Sequence, residues 1–457
     1  MRRHITFACL FALALGVQAQ EGGITPEMLT QIKGAYKHTS ADKAIHNAMA
    51  GTSIAVLARN QERLANFNTN FSDKVVSHGI TDQKQSGRCW LFTGLNVLRA
   101  QMMAKYGLSE LTFSQNYCFF YDQLEKANLF LQGIIDTRMK PKDDKMVEWL
   151  FKNPINDGGQ FTGVSDLILK YGLVPSSVMP ETYSSENTSQ LSNLIALKLR
   201  EFGLQLRDDA AAGATVAALE AKKTDMLATV YRMLALALGE PVQNFKWTMN
   251  GVEKEYTPLS FYREFLGNDL DNNYVMLMND PSREYYKCYE IDYDRHVYDG
   301  KNWTYVNLPV EDIKQMAIAS IKDSTMMYFS CDVGKFMDSQ RGMLDVNNYD
   351  YASLMGTEFG MDKKQRIQTF ASGSTHAMTL MAVDLDANGR PKKWMVENSW
   401  GQDAGFRGHM IMTDEWFNEY MFRLAVEKKY VPKKVLDILK QKPVRLPAWD
   451  PMFAPEE

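Results

Sequence analysis

The stretch from Gln83 to Ala100, QKQSGRCWLFTGLNVLRA, constrains the fold more than any other part of this 457-residue chain. Ser86 and Gly87 are turn formers. After them Leu91, Leu95, Leu98 and Met102 recur at helical spacing. The spacing predicts a helix with Cys89 in its first turn and Gly87 letting the chain enter closely. A helix start carries unpaired backbone N–H groups and the positive end of the helix dipole. Both favour a thiolate, the nucleophilic form of cysteine. A cysteine that only fills a core needs neither, although free cysteine is among the most buried residue types.

A thiolate nucleophile needs a base, and the base needs a group to orient it. The distant stretch GSTHAMTLMAVDLDANGRPKKWMVENSWG supplies His376 and Asn398. His376 opens an alternating apolar run and Asn398 closes another, so both are expected at strand ends, where they can meet across a hairpin. The alternative is a hydrogen-bonded strand histidine beside a turn asparagine. The other histidines, His296 among them, show no context that pairs them with a cysteine.

Together these stretches resemble the papain-like cysteine proteases, whose signature is Cys-Gly-[Ser/Ala]-Cys-[Trp/Tyr] with His and Asn far downstream. Here it reads Ser86-Gly87-Arg88-Cys89-Trp90, with Ser86 in place of the first Cys. The 287-residue gap from Cys89 to His376 exceeds the roughly 130–150 of simple members and points to a large insertion. The variant Gln-Lys-x-Ser-Gly-Arg-Cys-Trp is similar to the bleomycin hydrolase and aminopeptidase C family. So are FSQNYCFFYDQLEKANLFL, DGGQFTGVSDLILKYGLVP, YFSCDVGKFMDSQRGMLD and LPAWDPM. The resemblance implies an α+β, papain-like two-lobe peptidase, a helical lobe plus a β-rich lobe. It implies that Cys89 attacks the peptide carbonyl, His376 exchanges the proton and Asn398 orients the imidazole. It also implies that the Gln83 amide and the Cys89 N–H form an oxyanion hole. Trp400 would shield the His376–Asn398 bond, and Gly158 and Gly159 would let substrate backbone approach, an ordinary loop turn being the alternative.

The C-terminal RLPAWDPMFAPEE is large, apolar and proline-stiffened for a free end. By resemblance Trp449-Asp450-Pro451-Met452 anchors an arm lying in the Cys89 cleft. The carboxylate end, Glu457, would then meet the free amine of a substrate. The family also implies a homohexameric ring. Activity without a cofactor or a metal is expected, since no close-spaced Cys pair suggests zinc.

At the other end, MRRHITFACLFALALGVQAQ has two Arg, an apolar run from Ile5 to Val17 and small residues near Ala19. It reads as a signal peptide over residues 1–19. Export, most simply to a bacterial periplasm, is therefore expected, although the family is mostly cytoplasmic. The run is too short for a membrane span. The net charge is −4, and −6 without Arg2 and Arg3, whereas a general nucleic-acid binder is basic. Cys118, Cys288 and Cys331 read as inert buried thiols, with no disulfide framework.

The chain is expected to divide into an N-terminal arm at 20–70, a helical lobe at 71–190, a helical and mixed insertion at 191–330, a β-rich lobe at 331–440 and the C-terminal arm at 441–457. Thr25-Pro26-Glu27 signals a helix start. The stretch from about 191 to 239 is strongly helical and stops at Gly239 before Pro241. Three functions stay open: an aminopeptidase, an endopeptidase or oligopeptidase on the same site, and a silent peptide-binding protein.

Overall fold

The computed structural model describes residues 22–64, 68–267 and 269–453. Residues 1–19, which the sequence reads as a signal peptide, and Glu457 lie outside them. Two compact units result: residues up to 59 with 350–357, and the rest of the chain. In the first, Pro26–Ala35 starts as its sequence predicts, with Thr25 Oγ1 accepting from the Met28 N–H and Pro26 at the first helical position. Ser40–Gly51 follows behind a Thr39–Asp42 capping box. The arm thus ends at 59, not 70, because Phe71 onward packs into the second unit.

The second unit is built on one mixed sheet of twelve strands among the described residues. Its centre runs Tyr274–Met278, Met421–Glu427, Met327–Cys331, His376–Leu385, Pro391–Glu397, His409–Thr413. These strands are apolar on both faces, and the period of two divides them between two cores. Tyr328, Ala377, Phe422 and Ala425 face one cluster, shared with Cys89, Trp90 and the helices. Phe329, Met378, Met421 and Leu424 face the other, covered by Val310–Lys322 and Asp414–Tyr420. The expected start of the β-rich part at 331 is too late. Strand Tyr274–Met278 pairs with Met421–Glu427, so residues assigned to an insertion are structural members of the sheet.

The helical side comprises Cys89–Tyr106, Gln115–Asp136, Phe161–Tyr171, Ser189–Ala211 and Val216–Leu238. The helical stretch after 191 is two helices, not one. Gly213 adopts φ +92°, which breaks the first before Thr215 caps the second. Gly239, at φ +85°, ends the second as predicted. Ile195, Leu199, Leu219 and Val230 join the same core as Cys89, so this pair enlarges the helical side. No helix among the described residues is long and apolar enough to cross a membrane.

The Cys89 helix crosses Phe161–Tyr171 at Gly94, where an added Cβ would lie 2.6 Å from Val164 Cγ2. Replacing Gly94 with alanine should therefore force the two helices apart. A loss of about 1–3 kcal/mol is expected in chemical denaturation, and an unchanged midpoint would show that the crossing is loose.

Candidate active site

Cys89 is the first residue of its helix, and the N-cap residue Arg88 gives that helix no side-chain cap. The positive end of the helix dipole therefore lies at Cys89. Arg88 is itself wholly buried, 2.9 Å from Glu181 and stacked on Phe92 and Phe119. Burial pulls its pKa below the usual value, and Glu181 opposes that pull. Arg88 Nε donates to Ser86 Oγ at 3.0 Å, and Ser86 Oγ donates to the Gln83 carbonyl at 2.6 Å. Ser86 thus knits by hydrogen bonds a turn that a disulfide cysteine occupies in simple papain-like enzymes. The four described cysteines form no disulfide with one another.

His376 begins the strand His376–Leu385, and Asn398 follows Pro391–Glu397, its antiparallel neighbour. The two meet as their strand-end positions predict, Nε2 to Oδ1 at 2.8 Å. The same Oδ1 accepts from the Ser399 backbone N–H at 2.8 Å. An amide oxygen can only accept, so Nε2 carries the hydrogen and Nδ1 is the other, exchangeable nitrogen. The Trp400 ring lies over the imidazole with centroids 4.7 Å apart, a cover for that bond.

Gln83 is brought to the same place. Its N–H donates to the Ser399 carbonyl at 2.8 Å. Ser399 Oγ donates to Gln83 Oε1 at 2.7 Å, which orients Nε2 toward the Ser86 carbonyl at 2.6 Å. The oxygen and nitrogen of this amide are thereby distinguished by their partners. Gln83, Cys89, His376 and Asn398 are all buried, and Cys89 is 0 % exposed. A reactive cysteine ordinarily sits in a partly exposed microenvironment. The helical core closes over Cys89 instead, with Trp90 and Leu91 equally covered.

Gly158 and Gly159 lie in a loop beside Trp90, whose indole N–H donates to the Asp157 carbonyl at 2.8 Å. The room left by the missing Cβ of Gly159 is filled by His296 and Trp90, only 2.2 and 2.8 Å from where that carbon would be. It is not open to substrate backbone. His296 is the residue that sequence reasoning missed. It is buried edge-on to Trp90 at 4.6 Å between ring centroids, with Nδ1 2.5 Å from Asp122. Burial and Lys126 lower its pKa, against the pull of Asp122. Nothing in DYDRHVYDG marks it. The only trace is the glycine pair Gly159 and Gly163, both of which leave space for its ring.

The C-terminal arm is tied down through Phe453. Asp450 forms an ion pair with Arg283 and accepts from the Met452 N–H at 2.9 Å. Buried Arg423 donates to the Met452 carbonyl at 2.6 Å. Phe453 meets Trp149 and, with Gly158 and Gly159, lines a cavity beside the glycine loop. Pro451 and Met452 pass alongside Gly373, three residues before His376.

A family model described as "Peptidase C1-like family" matches residues 23–453. Human bleomycin hydrolase is 41% identical over 391 residues, covering 82% of this chain and 86% of that protein. Aminopeptidase G of Lactobacillus delbrueckii subsp. lactis is 37% identical over 433 residues, covering 93% and 98%. The crystal structure of PepW from Lactobacillus rhamnosis HN001 superposes with a TM-score of 0.90 at 37% identity, over 95% of this chain and all of that one. A turn that delivers a cysteine to a helix start, a His–Asn pair across a hairpin and near full-length likeness lead to one assignment: this chain belongs to the Peptidase C1-like family.

Proposed function

We propose that this chain is a cysteine aminopeptidase, removing residues from the free N-terminus of peptides through an acyl-enzyme on Cys89. The observation that carries the reading is the His376–Asn398 bond of 2.8 Å, held next to Gln83 by Ser399. In this mechanism the Cys89 thiolate attacks the carbonyl carbon. The oxyanion accepts from the Cys89 N–H and Gln83 Nε2, each such donor being worth about 3–4 kcal/mol. His376 Nδ1 gives its proton to the leaving amine, and the C–N bond breaks. Water then attacks the thioester and passes its proton to Nδ1, and the C–S bond breaks, which releases the acid and leaves the thiolate–imidazolium pair. Cys118 and Cys288 do not compete, because burial pushes their thiols up to about 12 and about 11.

Two other readings use the same residues. A catalytically silent peptide binder would have no need of an oriented imidazole beside an oriented Gln83 amide. An endopeptidase would need an open cleft on the N-terminal side of the cut, and the anchored arm disfavours it. The arm, pinned at Asp450 and Met452, is proposed to fill those subsites and present its carboxylate end, with Glu457, to the substrate amine. Self-association into a ring, a homohexamer by family resemblance, belongs to the same proposal. It is supported by apolar side chains left exposed on the N-terminal unit, namely Ile24, Met28, Leu29, Ile32 and Tyr36.

Three outcomes are expected. Cys89→Ala should abolish turnover of a fluorogenic aminoacyl substrate while leaving the circular dichroism spectrum unchanged, and full activity in that variant would sink the mechanism. Removing residues 453–457, which spares the Asp450 and Met452 anchors, should give an enzyme that also cleaves N-blocked peptides. If it still requires a free amine, the arm does not set exopeptidase specificity. Light scattering should show an assembly that Ile32→Glu weakens, and a monomeric wild-type protein would refute the ring.

A further inference from the structure

Three of the groups assigned to catalysis, Gln83, Cys89 and Asn398, are carried by a loop segment, a helix and a strand end. All three converge on one buried ion pair that plays no part in the chemistry described above. Arg99 is ten residues beyond Cys89 on the same helix, about 15 Å along its axis. Its Nη2 lies 3.1 Å from Glu397 Oε1, and the side chains are 5 % and 1 % exposed. Glu397 is the residue immediately before Asn398. The same Nη2 donates to the Gly79 carbonyl at 2.7 Å, four residues before Gln83. The other carboxylate oxygen, Oε2, accepts from Ser77 Oγ.

Such a pair is a poor device for stability. Burial pushes the Glu397 carboxyl up and the Arg99 guanidinium down, each partner only opposing the effect. Replacing a buried ion pair by apolar groups is often neutral or stabilising, whereas breaking one partner is costly. What the pair does supply is direction. A guanidinium presents its donors in a fixed plane, so here it fixes helix, Gly79 segment and strand end relative to one another.

We propose that Arg99 and Glu397 are positioning residues that set where Asn398, and through it His376, stands relative to Cys89 and Gln83. The proposal rests on the peptidase reading. In it the ion pair acts on the turnover step and leaves substrate binding alone, because neither side chain lies among the groups assigned to substrate.

The test compares Glu397→Gln, Arg99→Met and the double variant Arg99→Met/Glu397→Met with the wild-type protein, measuring melting temperature, kcat and KM. The single variants should melt earlier, since each leaves a buried charge or polar group unpaired. The double variant should recover the melting temperature, yet its kcat should stay roughly tenfold to a hundredfold below wild type, with KM little changed. Arg99→Lys should retain more of kcat than Arg99→Met. A double variant with wild-type kcat would overturn the proposal and leave the pair a packing feature. Ser77→Ala is a milder probe that keeps both charges. It should lower kcat roughly threefold by loosening Glu397, and an unchanged kcat there counts equally against the proposal. Absence of turnover by the wild-type protein would overturn the peptidase reading and this proposal with it, a result distinct from an active enzyme that tolerates the double variant.

Discussion

The site depends on a backbone ladder that leads the chain to Cys89. Asp73 and Lys74 pair with Val383 and Ala382 on the His376 strand. The Val75 N–H donates to Met381 at 2.9 Å, Gly401 donates back to Thr81 at 3.1 Å, and Gln83 donates to Ser399 at 2.8 Å. Each bond is worth only about 1 kcal/mol. Their order matters more than their sum. A chain zipped along the His376 strand and the Asn398 loop in this register delivers Gln83 beside Ser399, and the turn at Ser86–Gly87 then starts the helix at Cys89. Any slip of one residue in that ladder would turn Gln83 away from Ser399. Asn96 reinforces the arrangement from the helix by donating to Thr81 at 2.9 Å.

The long separation between Cys89 and His376 has a matching cost. Their approach closes a loop of 287 residues, but loop entropy grows only logarithmically, so doubling the loop adds about 0.6 kcal/mol. The inserted chain therefore needs only to form its own buried contacts. It does so in two ways. Ser189–Ala211 and Val216–Leu238 extend the helical core through Ile195, Leu199 and Val230. Strands Tyr274–Met278, Lys287–Ile291 and Thr304–Asn307 extend the sheet beyond Met421–Glu427. The loop between the first two of these strands carries Asp280 and Arg283, the ion pair to which Asp450 of the arm is fastened.

What the sequence made legible is what local chemistry writes. The turn at Ser86–Gly87, the apolar period after Cys89, the Thr25–Pro26 cap and the Gly239 stop are short-range signals, and each appears where read. His376 and Asn398 were legible because alternating runs place them at strand ends. The misplacements have separate causes. Tyr274–Met278 reads YVMLM, an apolar run with no alternation, because both of its faces are buried. Such a run does not announce which sheet it joins. The break at Gly213 was hidden by alanines on either side, good helix formers that mask a turn. His296 was invisible because its partners, Asp122, Gly159 and Gly163, come from two other helices and a loop. The burial of Cys89 is likewise a property of helices that meet over it from distant parts of the chain.

That burial changes how the thiolate must be held. Removing a thiol from water raises its pKa, as Cys118 and Cys288 show in the same fold. Cys118 is mid-helix beside Asp122, and both burial and that carboxylate favour its neutral form. Cys89 differs in position, not in depth. It stands where the helix presents its positive end, and Arg88 leaves the first turn without a side-chain cap. Asn398 Oδ1 accepts from His376 Nε2, so in the proposed mechanism a proton taken up at Nδ1 stays on a ring with a fixed orientation. In the proposed mechanism the imidazolium of His376 counters the thiolate, since a low dielectric strengthens a close pair while penalising each isolated charge. In the proposed mechanism the charge on Cys89 therefore depends on how His376 is oriented, a dependence that Cys118, held neutral by its surroundings, does not have. The dependence on orientation is why the framework around Asn398 is so heavily tied, with Ser399, Glu397 and Trp400 each held by groups on the Cys89 side of the molecule.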